Sequence, residues 1–186
     1  MSEVKGNSMT RHNSLYRMVL SSMFLALAML LPFLAGQLEK IGNMLCPMHL
    51  PVLLCGFFCG WQWGAVLGLA APLLRSLLFG MPVLFPMAVC MSLELGCYGF
   101  LSGFLYRYLP QKRSSVYLSL VIAMVAGRLL WGGARFLCVG LDADQFGFAA
   151  FWSDAVVTAI PGILIQLLLI PPLVILLKRK SPRRNW

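Results

Sequence analysis

Polar and apolar residues alternate along this chain in blocks rather than singly. A polar tail, Met1 to Arg17, leads into an apolar run from Met18 to Ala35, which ends where Gly36, Gln37, Glu39 and Lys40 restore polarity. A long apolar stretch follows from Leu45 to Phe79, interrupted at Trp61-Gln62-Trp63, and three further apolar runs fill most of the remaining chain. A helix that crosses a bilayer takes roughly 20 apolar residues. Runs of this length therefore predict membrane-spanning helices, and five to seven of them exhaust the 186 residues.

The stretch from Leu45 to Phe79 fits one helix or two short ones joined at the aromatic break, and charge decides between them. Cytoplasmic connections are enriched in Lys and Arg. With two helices, the tail (Lys5, Arg11, Arg17), the connection holding Arg107, Lys112 and Arg113, and the C-terminal Lys178-Arg179-Lys180 with Arg183 and Arg184 all share one side. With one helix that bias collapses. The expectation is an all-α integral membrane protein, a bundle of six transmembrane helices with both termini cytoplasmic. The helices are placed at about Leu15–Ala35, Met48–Gly60, Trp63–Phe79, Phe85–Tyr108, Val116–Val139 and Asp154–Leu177. Residues 1–14 then form a cytoplasmic tail, 15–177 the membrane domain and 178–186 a basic cytoplasmic tail.

Composition agrees with this pattern. Sixty percent of the residues are hydrophobic and 11% charged, against about 25% charged in a soluble domain. The net charge of +9 sits in the short segments between and beyond the apolar runs, which suits an anionic leaflet rather than nucleic acid. The six cysteines show no C-x-x-C pair or regular spacing and lie mostly in apolar runs, so neither disulfides nor a metal site is expected. The first apolar run lacks a small-residue cleavage site and is long enough to span, so it reads as the first helix and not as a signal peptide. Gly56, Gly60, Gly64 and Gly68 recur every fourth residue, a spacing that lets helix backbones approach closely within one bundle. Pro161 is expected to kink the sixth helix.

Ionisable groups at membrane depth are unfavourable by a few kcal/mol each, so those present need a reason. Arg75, Glu94, Arg128 and Arg135 stand out, with Asp154 at the external start of the sixth helix. Arg128, Trp131 and Arg135 fall at i, i+3 and i+7 on one helix face. Two guanidinium groups beside an indole suit a planar or carboxylate-bearing molecule, and Gly127, Gly132 and Gly133 leave room beside them. The alternative is that Arg128 pairs with Glu94 to hold the bundle together while Arg135 reaches the interface. His49, between Pro47 and Pro51, stands at the external start of the second helix as a ligand donor or a structural group. The apolar loop Gly80-Met81-Pro82-Val83-Leu84-Phe85-Pro86 reads as a lid or wall. There is no G-x-x-x-x-G-K-[ST], no H-E-x-x-H and no G-x-S-G. The chain is therefore expected neither to hydrolyse ATP itself nor to be an enzyme, and no cofactor is implied.

Several blocks taken together resemble one family. They are Pro47-Met48-His49-Leu50-Pro51 with the glycines after it, Ala71-Pro72-Leu73-Leu74-Arg75-Ser76-Leu77-Leu78, Gly80-Met81-Pro82 with Phe85-Pro86, Leu93-Glu94 with Tyr98-Gly99, and Gly127-Arg128. In combination they resemble the substrate-binding S component of energy-coupling factor (ECF) transporters. The resemblance implies a six-helix protein of a prokaryotic cytoplasmic membrane. Such a protein captures a vitamin or related micronutrient from outside and delivers it inward through a coupling protein and two ATP-binding subunits. It also implies a docking face on the first helix built from alanines spaced by four, for which this chain offers Ser22 and Ala26, followed by Leu30. The candidate substrate-binding residues are Arg75, Glu94, Arg128, Trp131, His49 and Arg135. With three positive charges against two negative, counting Asp154, an anionic ligand such as pantothenate or folate fits better than a cation such as thiamine. The rival readings are a small membrane enzyme acting on lipids and a self-sufficient secondary transporter.

Overall fold

A computed structural model describes residues 2–36, 47–110, 112–139 and 160–180. Six α-helices follow one another in it: α1 Ser2–Gly36, α2 His49–Cys59, α3 Trp61–Phe79, α4 Val89–Tyr108, α5 Arg113–Val139 and α6 Ile160–Lys180. A π-helical turn, Leu84–Ala88, precedes α4. No strand occurs among the described residues. The helix count matches the sequence reading, and the boundaries differ in instructive places. The first helix reaches back to Ser2, so the polar tail continues the helix whose apolar part is Ser14–Phe33. The fourth begins with a π turn, in which Phe85 is extended (φ −123°, ψ 134°) and the Ala88 N–H donates to the Val83 carbonyl. Pro161 falls in the first described turn of α6, and Pro171 and Pro172 are the prolines inside that helix.

Four segments are long and apolar enough to cross a membrane: Ser14–Phe33, Trp61–Phe79, Leu84–Tyr108 and Arg113–Cys138. Their outward surface is apolar. Leu137 is 81% exposed, Leu168 78% and Leu77 70%, and side chains of this kind in contiguous rows belong against lipid tails rather than water. The bundle is thus a multi-pass membrane unit.

The division between α2 and α3 comes at Gly60, whose φ of 97° is open to glycine and strained for other residues. Trp61-Gln62-Trp63, read from the sequence as the break, instead forms the first turn of α3. The glycine row is consequently split between two antiparallel helices, and a third helix completes it. A Cβ added at Gly99 of α4 would lie 2.1 Å from the Gly64 carbonyl oxygen of α3, and one at Gly56 of α2 would lie 2.6 Å from the Gly99 oxygen. Farther along, Gly68 faces the Leu95 carbonyl and Gly103 faces the Trp61 nitrogen in the same way. Backbones of three helices therefore touch without intervening side chains.

Nine of the eleven residues of α2 are buried, which makes it the central helix of the bundle. It is also short. At 1.5 Å per residue it rises about 16 Å, roughly half the hydrocarbon thickness. Its Cys59 end is level with Gly103 of α4, so its His49 end stops at the depth of Glu94, inside the bundle rather than at an interface. Around it, Val52, Leu53, Leu95, Leu120 and Ile170 are fully buried. Two buried serines close on their own helices: Ser21 donates to the Met18 carbonyl and Ser92 to that of Val89. Such bonds leave these polar groups satisfied without any partner helix.

Candidate functional site

Glu94 and Tyr98 stand one turn apart on α4, a spacing that puts both on the same helix face. The Tyr98 hydroxyl donates to Glu94 Oε1 at 2.7 Å. Two other helices bring cationic or donor groups to the same oxygen: His49 Nε2, at the start of α2, is 3.6 Å away and Arg128 Nε, on α5, is 3.3 Å away. The carboxylate is all but sealed, with Glu94 1% and His49 3% exposed. A charge in such a place persists only when it is paired, and here one hydrogen bond from Tyr98 and the ion-pair approach of His49 and Arg128 bring three helices around it.

The local sequence explains how the groups meet. Because α2 is half-length, its first residue is His49 at the level of Glu94 and not a bilayer thickness away. Gly127 lets α5 close on α4, since a Cβ there would lie 2.2 Å from the Tyr98 ring. The room that Gly127 provides is thus filled by Tyr98, whereas the space at Gly133 stays open, with nothing within 4 Å of an added Cβ. The His49 ring lies 5.2 Å from that of Tyr98 at a tilt of 54°. Its Nδ1 is buried with no hydrogen-bond partner among the described residues.

The stripe on α5 forms as its spacing predicts. The Trp131 ring, 6% exposed, has the Arg128 guanidinium 6.0 Å and the Arg135 guanidinium 5.6 Å from its centroid. Arg135 also donates to Met87 Sδ at 3.0 Å, which ties α5 to the turn before α4. Arg75 lies apart from the Glu94 cluster. Its Nε donates to the Met81 carbonyl at 3.2 Å, and its guanidinium sits 5.4 Å from the Phe33 ring. The segment after α3, expected as a lid or wall, turns Met81, Val83 and Phe85 outward, with 72%, 68% and 62% exposure. It contributes its backbone to Arg75 and Met87 to Arg135.

Asp154 lies outside the described residues. Within the described spanning segments Glu94 is the single acidic residue, against Arg75, Arg128 and Arg135 near this end of the bundle. No group of three His, Cys, Asp or Glu that would hold a metal occurs among the described residues. Ser22 and Ala26 are both exposed on α1, on a face shared with Met23, Leu27 and Leu30. A separate cavity of about 90 Å³ opens at the Gly60 end, remote from Glu94.

Sequence reasoning did not single out Tyr98, Met87 or Phe33 as site residues. Tyr98 had a signal, the i, i+4 spacing from a lone intramembrane carboxylate. Met87 and Phe33 had none, because their roles depend on which helices meet.

The family model described as ECF transporter, substrate-specific component matches residues 16–174. Comparison with curated proteins and with solved structures gives no significant match.

Proposed function

The chain belongs to the family of ECF transporter substrate-specific components, and from that membership we propose that it captures a small carboxylate-bearing micronutrient at the Glu94, His49 and Arg128 cluster. The observation that carries this reading is one sealed carboxylate, Glu94, 3.3 Å from the Arg128 that begins the Arg128–Trp131–Arg135 stripe of α5. Arg128 is held and oriented by Glu94, while Arg135 and Trp131 extend the cationic, aromatic surface along α5. A ligand carboxylate meets that surface by charge-assisted hydrogen bonds, and a planar portion stacks on the indole. His49 Nδ1 supplies a further polar contact, and Arg75 with Phe33 lines the opposite side. A vitamin such as pantothenate or folate has the required chemistry.

As an S subunit the protein associates with the ECF transmembrane and ATPase modules. We assign the contact to the exposed face of α1 at Ser22 and Ala26, where small side chains admit a partner helix, and the energy to two ATP-binding subunits. The membrane domain is taken as residues 15–177, with basic tails in the cytoplasm of a prokaryotic cell and the Glu94 end of the bundle on the outer side. A reporter fused after Trp186 and active only inside the cell should be active. Activity confined to an external reporter would reverse the orientation.

Native mass spectrometry of the protein purified from its own membranes tests the functional reading directly. The expected spectrum contains a small acidic molecule in one-to-one ratio and, under milder conditions, the coupling protein with two ATPases. Ala26→Leu should reduce recovery of the coupling protein at least about tenfold and leave the small molecule in place, because the new side chain blocks close approach without reaching the site. Recovery of neither guest nor ATPases by the unaltered chain would point to an independent carrier or an enzyme.

A further inference from the structure

The cavity at the Gly60 end is lined by groups that substrate capture does not use. Arg17 of α1 and Arg107 of α4 approach it from two helices, and Trp61, Gln62 and Tyr106 complete its polar rim. Neither arginine makes an ion pair among the described residues, and no carboxylate of a described spanning segment other than Glu94 exists to neutralise them. The cavity also receives the start of α3. Gly60, the residue before that helix, offers no side-chain cap, and no backbone carbonyl accepts from the N–H groups of Trp61, Gln62 or Trp63 among the described residues. A 19-residue helix thus directs its positive end toward two guanidinium groups.

Size selects the guest. A volume of about 90 Å³ holds a few waters or one tetrahedral oxyanion, and it is well below the roughly 300–1,000 Å³ of sites that enclose whole organic ligands. Position selects its source. Trp61 packs edge-on against Phe100, which stacks on Phe104 beside the 72% exposed Tyr108. Aromatic groups of this kind gather at the level of lipid headgroups. Exposed apolar residues of α1, among them Leu15, Met18 and Val19, flank Arg17. We propose that this cavity is a phosphate site occupied by the headgroup of an anionic phospholipid, with Arg17, Arg107 and the first turn of α3 as its donors and the acyl chains lying along α1.

The proposal is independent of which solute the Glu94 cluster binds. Delipidated full-length protein in detergent is titrated with phosphatidylglycerol, phosphatidylcholine or inorganic phosphate, and retained lipid is read by native mass spectrometry alongside thermal unfolding. Phosphatidylglycerol should be retained in one-to-one ratio and raise the unfolding temperature, phosphatidylcholine should do so at least about tenfold less, and the Arg17→Gln/Arg107→Gln pair should lose that preference. Arg17→Lys/Arg107→Lys keeps the charge and should retain part of it, which separates loss of the site from loss of the fold. Arg113→Gln, a basic residue of the same end outside the cavity, should change nothing. Competition by millimolar inorganic phosphate keeps the oxyanion site and assigns it to a soluble anion. Equal loss with Arg113→Gln reduces the effect to general surface charge and overturns the proposal. It also falls if the paired Gln variant keeps its phosphatidylglycerol but no longer recovers the coupling protein, since the arginines would then serve acidic groups of that partner.

Discussion

Arg128→Ala should weaken binding of the co-purified substrate by at least about 2 kcal/mol, some thirtyfold in Kd, because a charged hydrogen bond to the ligand is lost from a desolvated place. Trp131→Ala should have a smaller effect, since it removes stacking alone. Glu94 gives the larger response in stability. Its carboxylate is 1% exposed and holds Tyr98, His49 and Arg128 around one oxygen. Removing one member of a buried pair strands the other, at about 3–5 kcal/mol. Glu94→Leu should therefore lower the thermal unfolding temperature sharply. Glu94→Leu combined with Arg128→Met replaces both charges by apolar groups and should recover most of that stability, yet it should still fail to bind. Thermal unfolding with and without the substrate reads both quantities. A double variant that is stable and binds as tightly as the unaltered chain would remove the cluster from the substrate site and leave it a structural pair.

The second large effect is expected at Gly99. An alanine Cβ there would lie 2.1 Å from the Gly64 oxygen and 2.9 Å from the Gly64 Cα. Both are backbone atoms, so no rotamer change relieves the overlap and α3 must move away from α4. Overpacking of a core usually destabilises by about 1–3 kcal/mol, and a clash with main chain belongs at or above the top of that range. Gly133→Ala is the matched control. Its Cβ meets nothing within 4 Å, and alanine is favoured over glycine in a helix by about 0.8–1 kcal/mol, so that variant should be neutral or slightly stabilised. Equal unfolding temperatures for the two variants in detergent would contradict the close approach of α3 and α4.

The helical membrane architecture was legible in the sequence because hydrocarbon imposes one requirement on all spans, and that requirement appears residue by residue as apolar length and basic connections. Even the separation of α2 from α3 followed from the distribution of Arg and Lys. Its location did not. Aromatic Trp61 and Trp63 are conspicuous in an apolar stretch, but backbone geometry turns at Gly60, whose positive φ has no signature beyond the residue type. The glycine spacing was equally visible, yet one row on a continuous helix and a seam shared by three helices have the same sequence.

For the site, the i, i+3, i+7 placement of Arg128, Trp131 and Arg135 is a local matter and carried through to the structure. The meeting of Glu94 with His49 depends instead on α2 ending at mid-depth, a length that the preceding residues do not announce. Arg75 illustrates the limit most clearly. Its charge marked it for the same group as Arg128, whereas its contacts are the Met81 carbonyl and the Phe33 ring, set by the chain reversal after Gly80.

The glycine seam also has a mechanical meaning. Where side chains interdigitate, neighbouring helices can slide by exchanging rotamers, but Gly56, Gly64, Gly99 and Gly103 have none to exchange. The α2–α3–α4 unit is accordingly stiff along its length, and a displacement imposed on Glu94 at one end reaches Trp61 and Arg107 at the other with little slack. The helices outside that unit, α1, α5 and α6, meet it through side chains and supply the compliance. A displacement of α4 at its Glu94 end would therefore act as on a lever, whose far end stands beside Arg17 and Arg107.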